Sequence, residues 1–189
     1  MGTAFVFDPR GNYQVIQDIR DAGRMPAAGL RYAASITGPY KVFQVVDFDE
    51  LDQLGGRLDS LPGGGGSADP PTTLSIGTAK VRRSKYLAHT ALVRIDVRAA
   101  DADPAVLLPQ VKDAIDPDSD DEVEAEADVV VGDFDILACI VDDDEESLAM
   151  KILDIRRIPG VKRTVSLRVL DYVSTSENAP DGHKVSAVD

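Results

Sequence analysis

A pattern that occurs twice, 94 positions apart, constrains this chain more than anything else in it. In the second half, Asp128-Val129-Val130-Val131-Gly132-Asp133-Phe134-Asp135-Ile136-Leu137-Ala138-Cys139-Ile140-Val141 places two β-rich runs around a Gly-Asp turn. That is a hairpin signal. The acids of 142–146 follow, then Leu148, Ile152, Ile155 and Ile158, whose spacing puts them on one helical face. The acids stand at the positive end of the helix dipole, Arg156 and Arg157 at the negative end, and Pro159-Gly160 stops the helix. In the first half, Ala33 to Val46 has the same form around Gly38. The same offset carries Leu54, Leu58 and Leu61 onto Leu148, Ile152 and Ile155. A hairpin and a helix matched in one register predict an internal repeat.

The front of each half agrees. Ala4 to Phe7 and Thr90 to Arg98 read as strands. Asn12 to Ala22 reads as a helix with Val15 and Ile19 inward. Asp103-Pro104 opens another, as N-cap and first-turn proline, with Leu107, Val111 and Ile115 as its buried stripe. Pro109 falls inside that helix and is expected to kink it or shift its start. Each half is then strand–helix–strand–strand–helix–strand, an α+β ferredoxin-like βαββαβ unit. The expected division is repeat one over 1–84, repeat two over 85–173, and a disordered tail over 174–189. A Gly/Pro-rich link at 62–71 interrupts repeat one before its last strand and reads as a surface loop or a lid.

Composition removes several classes of function. The 189 residues carry a net charge of −13, which repels phosphate backbones, so no nucleic-acid partner is expected. One cysteine, Cys139, excludes an internal disulfide and any multi-thiolate metal site. No apolar run is long enough to span a membrane and no signal peptide is visible, so the expected location is cytoplasmic.

A ferredoxin-like unit covers one sheet face with helices; the other is wet or pairs with a second sheet. In repeat two, Ala91, Val93, Ile95 and Val97 suit the helices, leaving Leu92, Arg94, Asp96 and Arg98 opposite. Val165, Leu167 and Val169 oppose Thr164, Ser166, Arg168 and Leu170, and Glu122, Glu124, Glu126 and Asp128 share a face. The open face is therefore expected to be strongly charged. It reads either as a lattice of cross-strand ion pairs or as a polar cavity for a small zwitterion or anion. In the second case Arg94, Arg98 and Arg168 would grip carboxylates with their planar guanidinium groups. A hard-cation site on Glu122, Glu124 and Glu126 is weaker, because strand neighbours diverge along a line.

The stretch 131–136, with Arg157-Ile158-Pro159-Gly160-Val161-Lys162-Arg163-Thr164 behind it, resembles the effector-binding domain of the Lrp/AsnC family. That family has a Gly-x-aromatic-Asp hairpin, a helix, then Ile-Pro-Gly-Val-x-x-Thr entering the last strand. Repeat one keeps Gly38 and Tyr40 but has Lys41 in place of Asp and lacks the second element. The resemblance implies a dimeric α/β-barrel arrangement and further assembly as a homo-oligomer. It also implies an amino acid or organic acid bound near Gly132, Asp133, Phe134 and Asp135, with Thr164 and Ser166 on the last strand. From the residues alone, turn chemistry explains Gly132-Asp133 without a ligand. With strand pattern by Thr3, the family's helix-turn-helix is not expected.

Catalytic signals are poor. No nucleophile elbow, phosphate loop, zincin or dinucleotide fingerprint occurs. Cys139 alternates within a β-run and is expected to pack. His89 is expected to be solvated or hydrogen-bonded, and His183 falls in the tail. The expectation is a non-catalytic small-molecule-binding regulatory or assembly module, without cofactor or metal, whose partners are a small-molecule effector and further copies of itself or another protein. The alternatives are a dimeric α/β-barrel enzyme of monooxygenase or haem-handling type, and an oligomeric scaffold. The enzyme reading is held back by the lack of tryptophan and the shortage of usable histidine.

Overall fold

A computed structural model describes residues 2–9, 11–62, 72–75, 89–97, 102–115, 126–177 and 179–188. Most of the Gly/Pro link, Arg98, Glu122 and Glu124 lie outside the described residues. The chain divides into two units, one of 1–74 with 169–189, the other of 75–168. The division differs from the sequence expectation because the last strand serves both units and the tail returns to the first.

Unit 1 runs β1 (Gly2–Asp8), α1 (Gln14–Ala22), β2 (Leu30–Ile36), β3 (Val42–Phe48), α2 (Leu51–Asp59) and β4 (Thr72–Ser75). Antiparallel pairing gives the order β4-β1-β3-β2, the ferredoxin-like order. Ala4, Val6, Ala33 and Val46 alternate onto one face and meet Ile16 and Ile19 of α1 and Leu54 of α2. Leu61 is buried and Leu58 half-buried in the same core, at the positions the periodicity marked.

Unit 2 runs β5 (His89–Val97), α3 (Pro104–Ile115), β6 (Glu126–Val131), β7 (Ile136–Asp142), α4 (Glu145–Arg157) and β8 (Val161–Ser174). The order is β8-β5-β7-β6, again ferredoxin-like. Ala91, Val93, Ile95 and Val97 meet Leu107, Val111 and Ile115 of α3 and Leu148 and Ile155 of α4. Each valine, leucine or isoleucine among them, fully buried, contributes roughly 1.5–3 kcal/mol. Helix α3 continues through Pro109, which occupies an exposed position. Helix α4 starts where Asp144 accepts the Ser147 amide at 2.8 Å, carries Glu145 and Glu146 in its first turn and Arg156 and Arg157 in its last.

The tail is ordered where it is described, which corrects the expectation of disorder. The far half of β8 pairs with β2, from Tyr32↔Ser174 to Ile36↔Val169. The chain then turns back: the Ser174 amide donates to His183 O at 2.8 Å and the Val185 amide to Ser174 O at 3.0 Å. The Met25 amide donates to Ser186 O at 2.8 Å, the Ser186 amide to Gly23 O at 2.9 Å, and Val185 is buried. A segment with no hydrophobic period is thus held by backbone bonds, which leave no trace in the pattern of residue types.

Candidate functional site

The hairpin loop of unit 2 is built as a tie. Gly132 has φ 157°, close to extended, and Asp133 is exposed. Phe134 is buried, with the Arg94 guanidinium carbon 4.4 Å from its ring centroid. Asp135 accepts the Val97 amide at 2.7 Å, and its own amide donates to Ile95 O at 3.1 Å. Both bonds lash the loop to β5.

Of the other proposed ligand-binding residues, Arg168, Ser166 and Thr164 do not gather around Arg94. Directly paired residues of an antiparallel ladder share a face. Arg168 pairs with Ala91, Ser166 with Val93 and Thr164 with Ile95, so all three lie on the helix-bearing face, and Arg94 on the opposite one. Arg156 Nε donates to Thr164 Oγ1 at 2.6 Å, and Ser166 is exposed. Arg168 pairs with Glu145 at the start of α4, and its second guanidinium nitrogen donates to His89 Nδ1 at 2.6 Å. The expectation of a strongly charged open face is corrected by the neighbours of Arg94: Leu92, Leu137, Cys139 and Leu167 are all buried there.

In unit 1 the face turned away from the helices is aromatic. Phe5 stacks on Phe43 with centroids 6.0 Å apart, Phe43 meets Phe7 at 4.9 Å and Tyr32 at 5.9 Å, and Tyr32 stacks on Tyr172 at 5.9 Å. His183 ends the row, stacked on Tyr172 at 4.2 Å. Its Nδ1 lies 2.9 Å from Tyr172 O and 3.8 Å from Asp171 Oδ1. A carbonyl only accepts, so Nδ1 carries the proton, and in the neutral ring the lone pair sits on Nε2. His89 has the reverse arrangement: an arginine only donates, so its Nδ1 accepts and the proton is on Nε2. Sequence reasoning assigned His183 to a tail and missed it; its only signal was being one of two histidines.

A groove of about 490 Å³ lies on the outside of unit 1, lined by Val15, Ile19, Ala22, Met25 and Val188 together with Asp18 and Arg24. Among the described residues no group of acids, histidines and cysteine is arranged to hold a metal ion, and no helix is long and apolar enough to cross a membrane.

No family model matches the chain and no curated protein matches it. Solved structures do. The siroheme decarboxylase NirDL superposes with a TM-score of 0.59 at 7% identity, covering 99% of this chain and 74% of that one. Its co-complex with an iron-uroporphyrin III analogue gives 0.58 over 99% and 73%. A chlorite dismutase variant from Candidatus Nitrospira defluvii, in complex with cyanide, gives 0.51 at 10% identity over 90% of each chain. The neighbours are dimeric α/β barrels built on the ferredoxin-like motif. At these identities the likeness is one of fold. The expectation of a non-catalytic effector-binding module is overturned by these matches: among the proteins that share the fold across nearly the whole chain are a decarboxylase and a dismutase. Likewise, nothing beyond the quoted sequence motifs ties the chain to the Lrp/AsnC family.

Proposed function

We propose that this chain is a haem-handling enzyme of the dimeric α/β-barrel type, acting on or with an iron tetrapyrrole. In this reading its two ferredoxin-like units are copies of one motif, and the Lrp/AsnC likeness of residues 131–136 and 157–164 marks a shared origin of the last copy. The observation that carries it is the match over 99% of the chain to siroheme decarboxylase, one structure of which holds an iron-uroporphyrin analogue.

Among the described residues, His183 and Tyr172 offer donor and ring chemistry that suits such a group. A neutral imidazole nitrogen is one of the protein groups that hold haem iron, and a flat conjugated ring would stack on aromatic side chains. His183 has the required tautomer, oriented through Nδ1 by a carbonyl as ligating histidines are, and it lies on Tyr172 at the end of the aromatic row. His89 does not fit, because Arg168 holds it in the opposite tautomer on the helix-bearing side. His183 would hold the iron and Tyr172 would fix the plane of its ring. When bound, the iron would supply redox and Lewis-acid chemistry.

The test is a spectral titration of the purified chain with hemin and with iron uroporphyrin. Saturable binding at one equivalent, with an intensified Soret band and a low-spin histidine signature that His183→Ala abolishes and His89→Ala leaves intact, supports the reading. Absence of saturable binding by any iron tetrapyrrole sinks it.

A further inference from the structure

Helix α4 buries Leu148 and Ile155 and turns a second stripe outward: Glu146, Met150, Leu153 and Arg157, all exposed. Steps of four, three and four residues put these side chains in one row along the helix. Met150 is 46% and Leu153 40% exposed, which leaves an apolar centre between an acidic end and a basic end.

That row is its own complement. A twofold axis across the helix, midway between Met150 and Leu153, lays a second copy antiparallel on the first. Met150 of each copy then meets Leu153 of the other, and Glu146 meets Arg157, each pair occurring twice by symmetry. Parallel docking would instead set Glu146 against Glu146. We propose that this outer face of α4 is an isologous interface with a second copy of this chain. The chain's net charge of −13 disfavours self-association through most of its surface, and the C-terminal end of α4 supplies local positive charge in Arg156 and Arg157. Arg157 is spent only on an exposed ion pair with Asp154 at 2.9 Å, an interaction weak enough to share.

Sedimentation velocity over a micromolar concentration series tests the proposal, with circular dichroism on every variant. The wild type is expected to associate to a dimer, and Leu153→Glu to stay monomeric with the same helical signal. Should the charged variant unfold, Met150→Gln/Leu153→Gln takes its place. Glu146→Arg and Arg157→Glu alone are each expected to weaken the dimer by about fivefold or more, since each breaks two symmetry-related pairs and sets like charges together. The double variant Glu146→Arg/Arg157→Glu is expected to regain it. A chain that is monomeric at every concentration, a dimer indifferent to Leu153→Glu, or a double variant as weak as the singles overturns the assignment.

Discussion

Lys41 and Asp135 stand at matching positions of the two hairpins and make the same pair of backbone bonds. The carbonyl of each accepts an amide from five residues earlier, Ile36 at 3.0 Å and Val130 at 2.9 Å. The amide of each donates to the first strand of its own unit, to Asp8 O at 2.8 Å and Ile95 O at 3.1 Å. The side chains differ in what they do. Lys41 Nζ lies 5.7 Å from the Tyr13 ring centroid, while Asp135 accepts the Val97 amide.

Asp135→Ala is therefore expected to destabilise unit 2 and not merely to remove a ligand contact. A hydrogen bond to a charged acceptor is worth roughly 1.5–3 kcal/mol, and its loss leaves the Val97 amide unsatisfied. Chemical denaturation should show a loss of about 2 kcal/mol, with faster amide exchange at Val97. Wild-type stability in Asp135→Ala would mean that the carboxylate is not holding β5.

The ring contact next door also has a counterpart. In unit 1, Phe7 meets Tyr40 with centroids 5.4 Å apart; in unit 2 a guanidinium, that of Arg94, meets Phe134. A double-mutant cycle on Arg94→Met and Phe134→Leu should return a coupling of about 0.5–2 kcal/mol, the range for a partly desolvated cation over an aromatic face. Strict additivity of the two substitutions would remove the interaction from the account.

The hairpins, the helices and their buried stripes were legible in the sequence because one face of each element meets a core, and burial imposes a period. The facing of β8 was not. At the edge of unit 2's sheet, polarity no longer reports which side the helices occupy, so Thr164, Ser166 and Arg168 were assigned to the open face when the register with β5 puts them on the other. The open face itself looked charged because Arg94 and Asp96 stand out within β5. Two of its apolar members, Leu137 and Cys139, come from β7, whose both faces are apolar and give no alternation to read, and the third, Leu167, comes from β8, where the alternation is clear but the two faces are exchanged. His183 is positioned by backbone bonds of a short return segment, a class of contact to which residue type is blind.

The start of α4 should respond to acid. The Ser147 hydroxyl, helped by the Ser147 amide, holds the Asp144 carboxyl below its ordinary value of 3.8. A carboxyl depressed in the folded state stabilises the fold above its unfolded value, and that contribution is lost as pH falls through the folded one. Asp144→Asn keeps a capping oxygen and removes the charge. Its melting temperature should lie slightly below wild type at neutral pH, and the gap should close as pH falls below about 4. A gap that stays constant into acid would assign the effect to geometry and not to charge.

Two glycines with positive φ separate strain from crowding. Gly23 closes α1 at φ 67°, and a β-carbon there would meet nothing within 4 Å. Gly160, at φ 102° between α4 and β8, has no such room: a β-carbon would stand 2.8 Å from Ala102 Cβ and 3.1 Å from Leu107 Cδ1. Gly23→Ala therefore meets the left-handed backbone penalty alone, about 1 kcal/mol. Gly160→Ala adds a clash with the residues that lead into and anchor α3, and should lose about 2–3 kcal/mol. The Pro159-Gly160 stop would then be as much a packing device between α3 and the entry to β8 as a helix terminator. Thermal unfolding of the two variants decides this, and equal losses at both positions would show that the α3 contact imposes nothing.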